Sequence, residues 1–244
     1  SWIFSWEDQG LPFDVSLHIG TLVAVLCFFR REWIDLARGF SSTFTGDKQN
    51  DSHLSVYRRL SWLLIVGTIP AGVAGIFAEG ILEDYFRSPL TVGWFLVGTG
   101  SVLWLSEILG ARARSLENLG VSDSIVVGIA QIGELIPGVS RSGVTMASGL
   151  FMGLSREAAA RFSYLLGTPL IFGAGILEIW NLVEAGGSET HWDAMLLGAS
   201  ISAVIAFMVI KAFLALLRRT NLMAMVVYCF SVGAGVIIAE YAVR

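Results

Sequence analysis

Cysteine and charged residues are both scarce in this sequence. Only two of its 244 residues are cysteines, Cys27 and Cys229, and each lies in an apolar run. Two isolated cysteines fit neither a disulfide framework nor a cysteine metal site, so we expect free, buried thiols. Charged residues make up 15% of the chain, less than a soluble domain of this length carries. The formal net charge of -4 also argues against nucleic-acid binding.

Long apolar runs dominate what the sequence does contain, since hydrophobic residues make up 55% of it. A helix needs roughly 20 mostly apolar residues to cross a bilayer. Six runs approach or reach that length, at 15–29, 60–78, 90–109, 158–183, 194–217 and 222–242. We therefore predict an all-α, polytopic membrane helix bundle of about six spanning helices plus one re-entrant hairpin, forming a single integral membrane domain over residues 1–244. Prolines are predicted to break the second and fourth runs, and residues 41–55 to form a polar loop.

Basic residues collect at alternate ends of these runs. One side carries Arg30, Arg31, Arg38, Lys48, Arg58, Arg59, Arg112, Arg114, Arg156, Arg161, Lys211, Arg218 and Arg219, whereas the other carries only Arg87 and Arg244. Because short loops rich in lysine and arginine stay in the cytoplasm, the first side is predicted to be cytoplasmic. Residues 1–14 and the C-terminus are then predicted to lie outside.

A polar turn, G-E-L-I-P-G-V-S-R-S-G-V-T at residues 133–145, lies between the third and fourth runs. Apolar segments of about half the spanning length flank it, at 125–132 and 146–154. Two such segments around a polar turn are typical of a re-entrant hairpin, here predicted at about 124–153. Irregular backbone at membrane depth occurs only where protein or water covers it, so the turn is predicted to line a cavity.

The chemistry of this turn favours an anion. The Pro-Gly pair at 137–138 ends the first half-helix, and Ser140 or Ser142 can cap the second. A helix start offers backbone N–H groups to an anion, and Arg141 adds a planar fork that matches phosphate oxygens. Ser140, Ser142 and Thr145 add hydroxyl donors, one of which becomes a nucleophile if a base lies nearby. In the alternative interpretation, Arg141 is bound to carbonyl groups or to a carboxylate within a purely structural turn.

Three polar residues within or next to apolar segments need interpretation. Gln131 either hydrogen-bonds the headgroup of a ligand or packs against another helix. Glu134 holds a divalent metal, pairs with Arg141, or is simply a carboxylate at the mouth of the hairpin. Glu107, near the end of the third run, is expected to snorkel towards the interface.

The segment P-G-V-S-R-S-G-V-T at 137–145 resembles the signature P-G-x-S-R-S-G-x-T of the undecaprenyl-diphosphatase family, the bacterial bacitracin-resistance proteins. Residues 13–20, 149–156 and 160–169 are also similar to that family. The resemblance implies hydrolysis of undecaprenyl diphosphate to undecaprenyl phosphate and inorganic phosphate, with a divalent cation, Mg²⁺ or Ca²⁺, as cofactor. It also implies an inverted-topology repeat, a location in the bacterial plasma (inner) membrane, and an active site open to the periplasm.

Two strings of that family, E-x-x-x-E and P-V-S-S-T-G-H, do not occur in this sequence. In the family, these two strings lie in an N-terminal segment that carries the proposed acidic metal ligands and the proposed catalytic histidine. The main metal ligands are therefore expected in an N-terminal segment missing from this sequence. Glu134 is then the one metal ligand that the turn itself offers. It also departs from the family, in which a small or apolar residue is expected at this position.

We therefore expect a polyprenyl-diphosphate phosphatase whose Arg141 clamps the diphosphate. The candidate catalytic residues are Arg141, Ser140, Ser142 and Thr145, and the candidate substrate-binding residues are Gly138, Gly143 and Gln131. The expected partners are a polyprenyl diphosphate and membrane lipids, without nucleic acid, and a homodimer is left open. The rival hypothesis is a transporter or flippase of a phosphorylated lipid or small anion, because broken helices suit transport equally well.

Overall fold

The computed structural model describes residues 10–45, 52–78, 88–184 and 192–243. In these ranges the chain is helical and contains no β-strand. Nine α-helices follow one another there: α1 Gly10–Phe28, α2 Arg30–Thr45, α3 Ser52–Ala78, α4 Pro89–Leu109, α5 Val121–Gln131, α6 Arg141–Phe151, α7 Arg156–Glu184, α8 Trp192–Leu217 and α9 Met223–Val243. The prediction of an all-α fold is confirmed. The predictions for residues 1–9, Lys48, Arg87 and Arg244 lie outside the described residues.

Five of these helices, α3, α4, α7, α8 and α9, are long and apolar enough to cross a membrane. The remaining predicted span corresponds to α1, whose apolar stretch Val15–Phe28 is shorter. Many large apolar side chains on the long helices remain exposed, among them Ile69, Leu196 and Ile238. Lipid is the solvent that such surfaces require. The chain is therefore a multi-pass membrane protein, as predicted.

The predicted polar loop at 41–55 is too long, because residues 41–45 and 52–55 are helical, whereas residues 46–51 lie outside the described residues. α2 continues to Thr45, and α3 already begins at Ser52. α2 is amphipathic, and its buried face includes Gly39 and Ser42. The Ser42 hydroxyl donates to the Gly39 carbonyl at 2.7 Å. Such bonds to the preceding turn let short polar side chains remain inside a helix.

Two further local predictions need correction, those of proline breaks and of buried cysteines. α3 continues through Pro70 and α7 through Pro169. Membrane helices tolerate a proline where neighbouring groups satisfy the freed carbonyl. Both cysteines are free, but only Cys229 is buried, whereas Cys27 is exposed on α1.

Two compact units make up the described chain. The first combines α1 with the second half of α7 and most of α8. Here α1 and α8 approach so closely that a Cβ on Gly20 would lie 2.2 Å from the Ala199 carbonyl oxygen. The Ser202 hydroxyl donates to the Leu17 carbonyl at 2.8 Å, which adds a polar bond to this helix pair.

The second unit contains most of α2, all of α3 to α6, the first half of α7, and α9. Small residues bring α4 and α9 together at Gly93, Gly100 and Gly233, as is common between membrane helices. α5 crosses α3 where a Cβ on Gly128 would lie 2.2 Å from the Gly67 carbonyl oxygen. This unit therefore carries the polar turn between α5 and α6 and the helices that pack around it.

Candidate active site

The polar turn joins two short helices of equal length. α5 and α6 have 11 residues each, so each is about 16 Å long, against a hydrocarbon thickness of roughly 30 Å. One 3₁₀ turn, Ile132–Leu135, and the irregular residues 136–140 connect them. The predicted helix-turn-helix at about 124–153 is confirmed. Its re-entrant insertion into a bilayer stays a prediction.

Gly138 gives the turn a backbone that no other residue accommodates. Its φ is +94°, in the left-handed region. A Cβ on Gly138 would also lie 2.6 Å from both the Cα and the carbonyl oxygen of Val92 in α4. The turn is therefore fixed against the first part of α4 by direct backbone contact.

Ser140 caps the second half-helix, one of the two alternatives that the sequence allowed. Its Oγ accepts a hydrogen bond from the Gly143 N–H at 3.3 Å. Its own N–H donates to the Thr99 hydroxyl of α4, also at 3.3 Å. The start of a helix leaves its first N–H groups without intrahelical partners, and here these belong to Arg141 and Ser142. The arrangement expected of an anion site is present at this helix start.

Arg141 lies between the turn and α7. Its Nε is 3.9 Å from Oε1 of Glu134, at the outer limit of an ion pair. Its NH1 lies over Gly167, where an added Cβ would come within 1.5 Å of it. Of the three interpretations of Glu134, pairing with Arg141 is the one that the geometry shows directly. The pair is loose, so the Arg141 guanidinium keeps donor capacity for a ligand.

Buried polar atoms without a hydrogen-bond partner are concentrated in this turn. Within the described ranges, all but one of the buried side-chain atoms of this kind belong to three residues, namely both amide atoms of Gln131, Oε2 of Glu134 and NH1 of Arg141. Gln131 is completely buried. More than nine in ten buried polar groups in proteins have a partner, so unpartnered groups need an explanation. A polar ligand at the turn provides one.

The other two hydroxyl candidates have different surroundings. Thr145 is 1% exposed, donates to the Arg141 carbonyl at 2.8 Å, and lies 2.6 Å from the Ser163 hydroxyl of α7. It therefore lies between α6 and α7. The Ser142 hydroxyl is partly exposed and has no hydrogen bond among the described residues. The structure thus brings Ser142 to the start of α6 with Ser140 and Arg141, whereas Thr145 lies one turn deeper.

Arg114 joins the two ends of the hairpin, a role that is not apparent from the sequence. Its guanidinium donates to both carboxylate oxygens of Asp123, near the start of α5, at 3.0 and 2.6 Å. It also donates to the Met152 carbonyl, just after α6, at 2.8 Å. The backbone of Arg114 bonds to Gly153 and Ser155 at 2.9 and 2.8 Å. One residue outside the hairpin therefore holds both of its ends.

Asp123, the partner of Arg114, is buried, and burial alone raises the pKa of a carboxyl group. The bonds from Arg114 and from the Gly120 N–H, the latter at 2.7 Å, outweigh burial and hold the pKa of Asp123 below its ordinary value. The same contact raises the pKa of Arg114. An aspartate in the first turn of a helix was a signal for this capping contact in the sequence. The arginine that completes it was not recognisable there.

Glu107 is the second polar anchor, and the expectation that it snorkels is wrong. Its side chain is 6% exposed. It accepts hydrogen bonds from Arg112 at 2.8 Å, from Nε of Arg156 at 2.9 Å, and from the Leu222 N–H at 3.4 Å. Glu107 thus connects the end of α4 with the start of α7 and the start of α9. It can stay buried because its charge is compensated inside the protein.

The described residues contain no group of three or more His, Cys, Asp and Glu side chains that could hold a metal ion. Glu134 supplies a carboxylate beside the turn, and its unpartnered Oε2 is chemically suited to a hard cation such as Mg²⁺ or Ca²⁺. One such oxygen fits a single position in the coordination shell. A metal bound here would need further ligands.

Comparison with known proteins supports the resemblance of residues 137–145 to the undecaprenyl-diphosphatase signature. The family model described as bacitracin resistance protein BacA matches residues 1–235. The chain belongs to the BacA family. Its relatives include undecaprenyl-diphosphatase 2 of Stutzerimonas stutzeri (strain A1501), 44% identical over 236 residues, which cover 95% of this chain and 85% of the relative.

Two further BacA relatives come from other bacteria. The undecaprenyl-diphosphatase of Thermomicrobium roseum is 40% identical over 239 residues, covering 95% of this chain and 85% of the relative. That of Geobacter metallireducens is 37% identical over 238 residues, covering 97% and 87%. The polar turn at 133–145 lies within the part of the chain that the BacA family model matches.

Proposed function

We propose that this protein hydrolyses undecaprenyl diphosphate to undecaprenyl phosphate and inorganic phosphate, which recycles the lipid carrier of cell-wall synthesis. The observation that carries this proposal is the set of four buried, unpartnered polar atoms on Gln131, Glu134 and Arg141. A diphosphate supplies acceptors for the guanidinium and for the amide nitrogen. Membership of the BacA family and the names of the relatives support the same substrate.

Phosphoryl transfer depends mainly on positioning and on stabilising negative charge. Arg141 clamps the diphosphate, and the first N–H groups of α6 add donors at the positive end of the helix dipole. Because these groups are held in place before the reaction, they stabilise the transition state without reorganisation. Gly138 keeps the turn in the shape that presents them. The attacking group is a hydroxyl of the turn or a water molecule, and Ser142 has the hydroxyl without a hydrogen bond among the described residues.

The Glu134 carboxylate supports a requirement for a divalent cation. A carboxylate beside a diphosphate repels it unless a cation or a proton lies between them. Glu134 would supply one oxygen ligand to Mg²⁺ or Ca²⁺, and the bound ion would neutralise charge on the phosphate oxygens. The metal requirement is part of the proposal. Removal of divalent cations with a chelator should abolish phosphate release, and re-addition of Mg²⁺ or Ca²⁺ should restore it.

The distribution of charge supports a location in the bacterial plasma membrane, with the basic helix ends in the cytoplasm. The α2–α3 segment, the α6–α7 segment and the α8–α9 turn all carry arginines, including Arg58, Arg156 and Arg219. The substrate pocket would then open to the periplasm. The protein is proposed to be either a monomer or a homodimer. The mass of the purified protein in detergent would distinguish the two states.

The decisive experiment measures phosphate release from undecaprenyl diphosphate in detergent with Mg²⁺ or Ca²⁺. Two proteins are compared: this chain, and the same chain extended at its N-terminus by a segment that carries E-x-x-x-E and P-V-S-S-T-G-H. Arg141→Ala should reduce turnover by about 10²–10³-fold, as expected when one stabilising donor set is removed. The control is Arg219→Gln, which removes the same charge from an exposed position. Equal activity of Arg141→Ala and wild type would refute the role of Arg141.

The same assay separates the enzyme from a transporter. Detergent micelles contain no closed compartment, so phosphate release in them indicates hydrolysis. Folded protein that releases no phosphate in either form, but moves a phosphorylated lipid across vesicles, would instead support a flippase.

A further inference from the structure

A second polar site lies away from the turn, in a groove between the end of α2, the first turns of α3 and the 3₁₀ turn Leu116–Asn118. Its volume is about 720 Å³, within the range of about 300–1,000 Å³ that small-molecule sites occupy. The backbone of Gly39 lies against that of Arg58, and Ser61 donates to the Leu36 carbonyl at 2.8 Å. These contacts fix its two helical walls. We call this site the α2–α3 groove.

The polar lining of the α2–α3 groove suits an anion. Arg58 and Arg59 line it together with the hydroxyl groups of Thr43 and Ser55. Glu117 lines it as well, so the positive charges exceed the negative ones by one. Arg59 donates to the Glu117 backbone carbonyl. Arg58 has no hydrogen bond or ion pair within the described ranges, so its guanidinium is available to a ligand.

The groove lies at the polar end of a membrane-crossing helix. α3 has 27 residues and is about 40 Å long, which exceeds the roughly 30 Å of hydrocarbon in a bilayer. Its first turns are polar and the apolar sequence begins at Leu60. When the apolar part of α3 lies in the hydrocarbon, Arg58 and Arg59 are at the level of the lipid headgroups.

Trp62 lines the groove, and further aromatic side chains pack beside it. The rings of Phe40 and Trp62 are 5.5 Å apart, and those of Phe40 and Phe44 are 5.3 Å apart. Phe44 is 71% exposed and Trp62 is 41% exposed. The Trp62 indole donates to the Thr43 hydroxyl at 3.3 Å. Amphipathic aromatic side chains prefer the membrane interface, with their rings against acyl chains.

We propose that the α2–α3 groove binds the headgroup of an anionic glycerophospholipid of the phosphatidylglycerol class. Its phosphate lies against Arg58 and Arg59, and the Thr43 hydroxyl donates to the headgroup. The Ser55 hydroxyl donates to the Ser52 carbonyl at 2.7 Å and accepts from a hydroxyl of the glycerol headgroup. The acyl chains run past Trp62. Basic pockets at the membrane surface recognise lipid phosphates in this way. The site is separate from the diphosphate turn, and the inference does not depend on the proposed reaction.

The test is native mass spectrometry of the full chain, released from mixed micelles that contain equal amounts of phosphatidylglycerol and phosphatidylcholine. Wild-type protein should retain phosphatidylglycerol preferentially. Arg58→Gln should lower that preference about fivefold, the factor that corresponds to one arginine near a lipid surface. Arg219→Gln is the matched control and should leave it unchanged, since Arg219 lies outside the groove. Equal losses in both variants, or no preference in wild type, would overturn the proposal.

A second variant keeps the test valid if Arg58→Gln folds poorly. Ser55 is exposed in the first turn of α3, where a carboxylate favours helix formation. Ser55→Glu should therefore fold and still reduce phosphatidylglycerol retention, because it places a negative charge in the groove. Free phosphate is the alternative ligand with the same chemistry. Inorganic phosphate at millimolar concentration should not displace the lipid; full displacement would assign the site to the free anion.

Discussion

Gln131 combines complete burial with an amide that has no partner among the described residues. An unsatisfied buried polar group costs about 1–3 kcal/mol of stability. An apolar residue of similar size would avoid that cost. The presence of glutamine at this position, one turn before Glu134, is explained if its amide binds the diphosphate.

Replacement of Gln131 should therefore separate stability from activity. Gln131→Met is expected to raise the free energy of unfolding by about 1–2 kcal/mol, because it removes the unsatisfied amide. Turnover should fall by about 10–100-fold, as a hydrogen bond to the substrate is lost. Thermal unfolding and phosphate release measure the two effects. Met146→Leu, also at a buried site, is the control; a stable variant with full turnover would remove Gln131 from the substrate site.

The second prediction concerns Gly138, whose backbone lies against Val92. Gly138→Ala should lower the free energy of unfolding by at least about 2 kcal/mol, since it combines a positive φ with a collision against Val92. Gly98→Ala in α4 is the control, because a Cβ there meets nothing within 4 Å. That control should be neutral or stabilising by up to about 1 kcal/mol. Similar melting temperatures for the two variants would contradict the turn geometry.

The hairpin as an element depends on bonds at its base. Arg114 bonds to the start of α5 and to the end of α6, so it fixes where both half-helices begin and end. The tip is fixed separately, by Gly138 against Val92 and by Ser140 to Thr99. The turn is therefore held at the base and at the tip by groups that lie outside the hairpin.

Loss of the charge on Asp123 should loosen the hairpin. Asp123→Asn is expected to destabilise the protein by about 1–3 kcal/mol, the usual contribution of hydrogen bonds to a charged group. Hydrogen exchange of the α5 and α6 amides should increase, whereas exchange in α9 should not. Asn118→Ala is the control, because Arg114 bonds only to its backbone carbonyl. Equal exchange in Asp123→Asn and wild type would show that the base does not need this pair.

The pH dependence follows from the same pair. The pKa of Asp123 is lower in the folded protein than in the unfolded chain, so its contribution to stability is complete above about pH 4, the ordinary pKa of aspartate. This contribution decreases as the pH falls below that value towards the pKa in the folded state. Acid unfolding of Asp123→Asn should therefore be less steep than that of wild type. Parallel pH profiles of the two proteins would contradict this sign.

Sequence patterns predicted the parts of the hairpin that depend on neighbouring residues. The Ser140 cap and the two half-length helices follow from local rules, whereas α5 already ends at Gln131, before the Pro-Gly pair that was predicted to end it. The base was not predictable, because Arg114 and Met152 meet only in the folded chain. α2 was not predicted for a related reason. Its composition is polar, and its small buried face is recognisable only once α3 packs against it. The catalytic roles of the turn residues stay predictions.

At the scale of the whole molecule, apolar surface faces lipid and polar bonds lie inside. Glu107 is the strongest example, because three helices meet at its carboxylate. A buried charge is tolerated only when it is paired and hydrogen-bonded. The exposed pair between Arg218 and Glu157, at 2.9 Å, has no such requirement.

Neutralising Glu107 should therefore reduce the stability of the protein in detergent. Glu107→Gln leaves Arg156 and Arg112 without their shared carboxylate, and loss of one partner of a buried pair costs about 3–5 kcal/mol. A clear fall in melting temperature is expected. Arg218→Gln breaks the exposed pair and should cause no measurable change. Equal melting temperatures for the two variants would show that Glu107 is not a central anchor.

The contacts between the polar turn and α7 have a consequence for biosynthesis. The hydroxyl that Thr145 contacts and the glycine beneath Arg141 both belong to α7, which follows the hairpin in the chain. Synthesis proceeds at about 5–20 residues per second, so the turn is made before the helix that covers it. Neither half-helix is long enough to be inserted as a span. The pocket around Arg141 and Thr145 is therefore complete only after α7 has been synthesised.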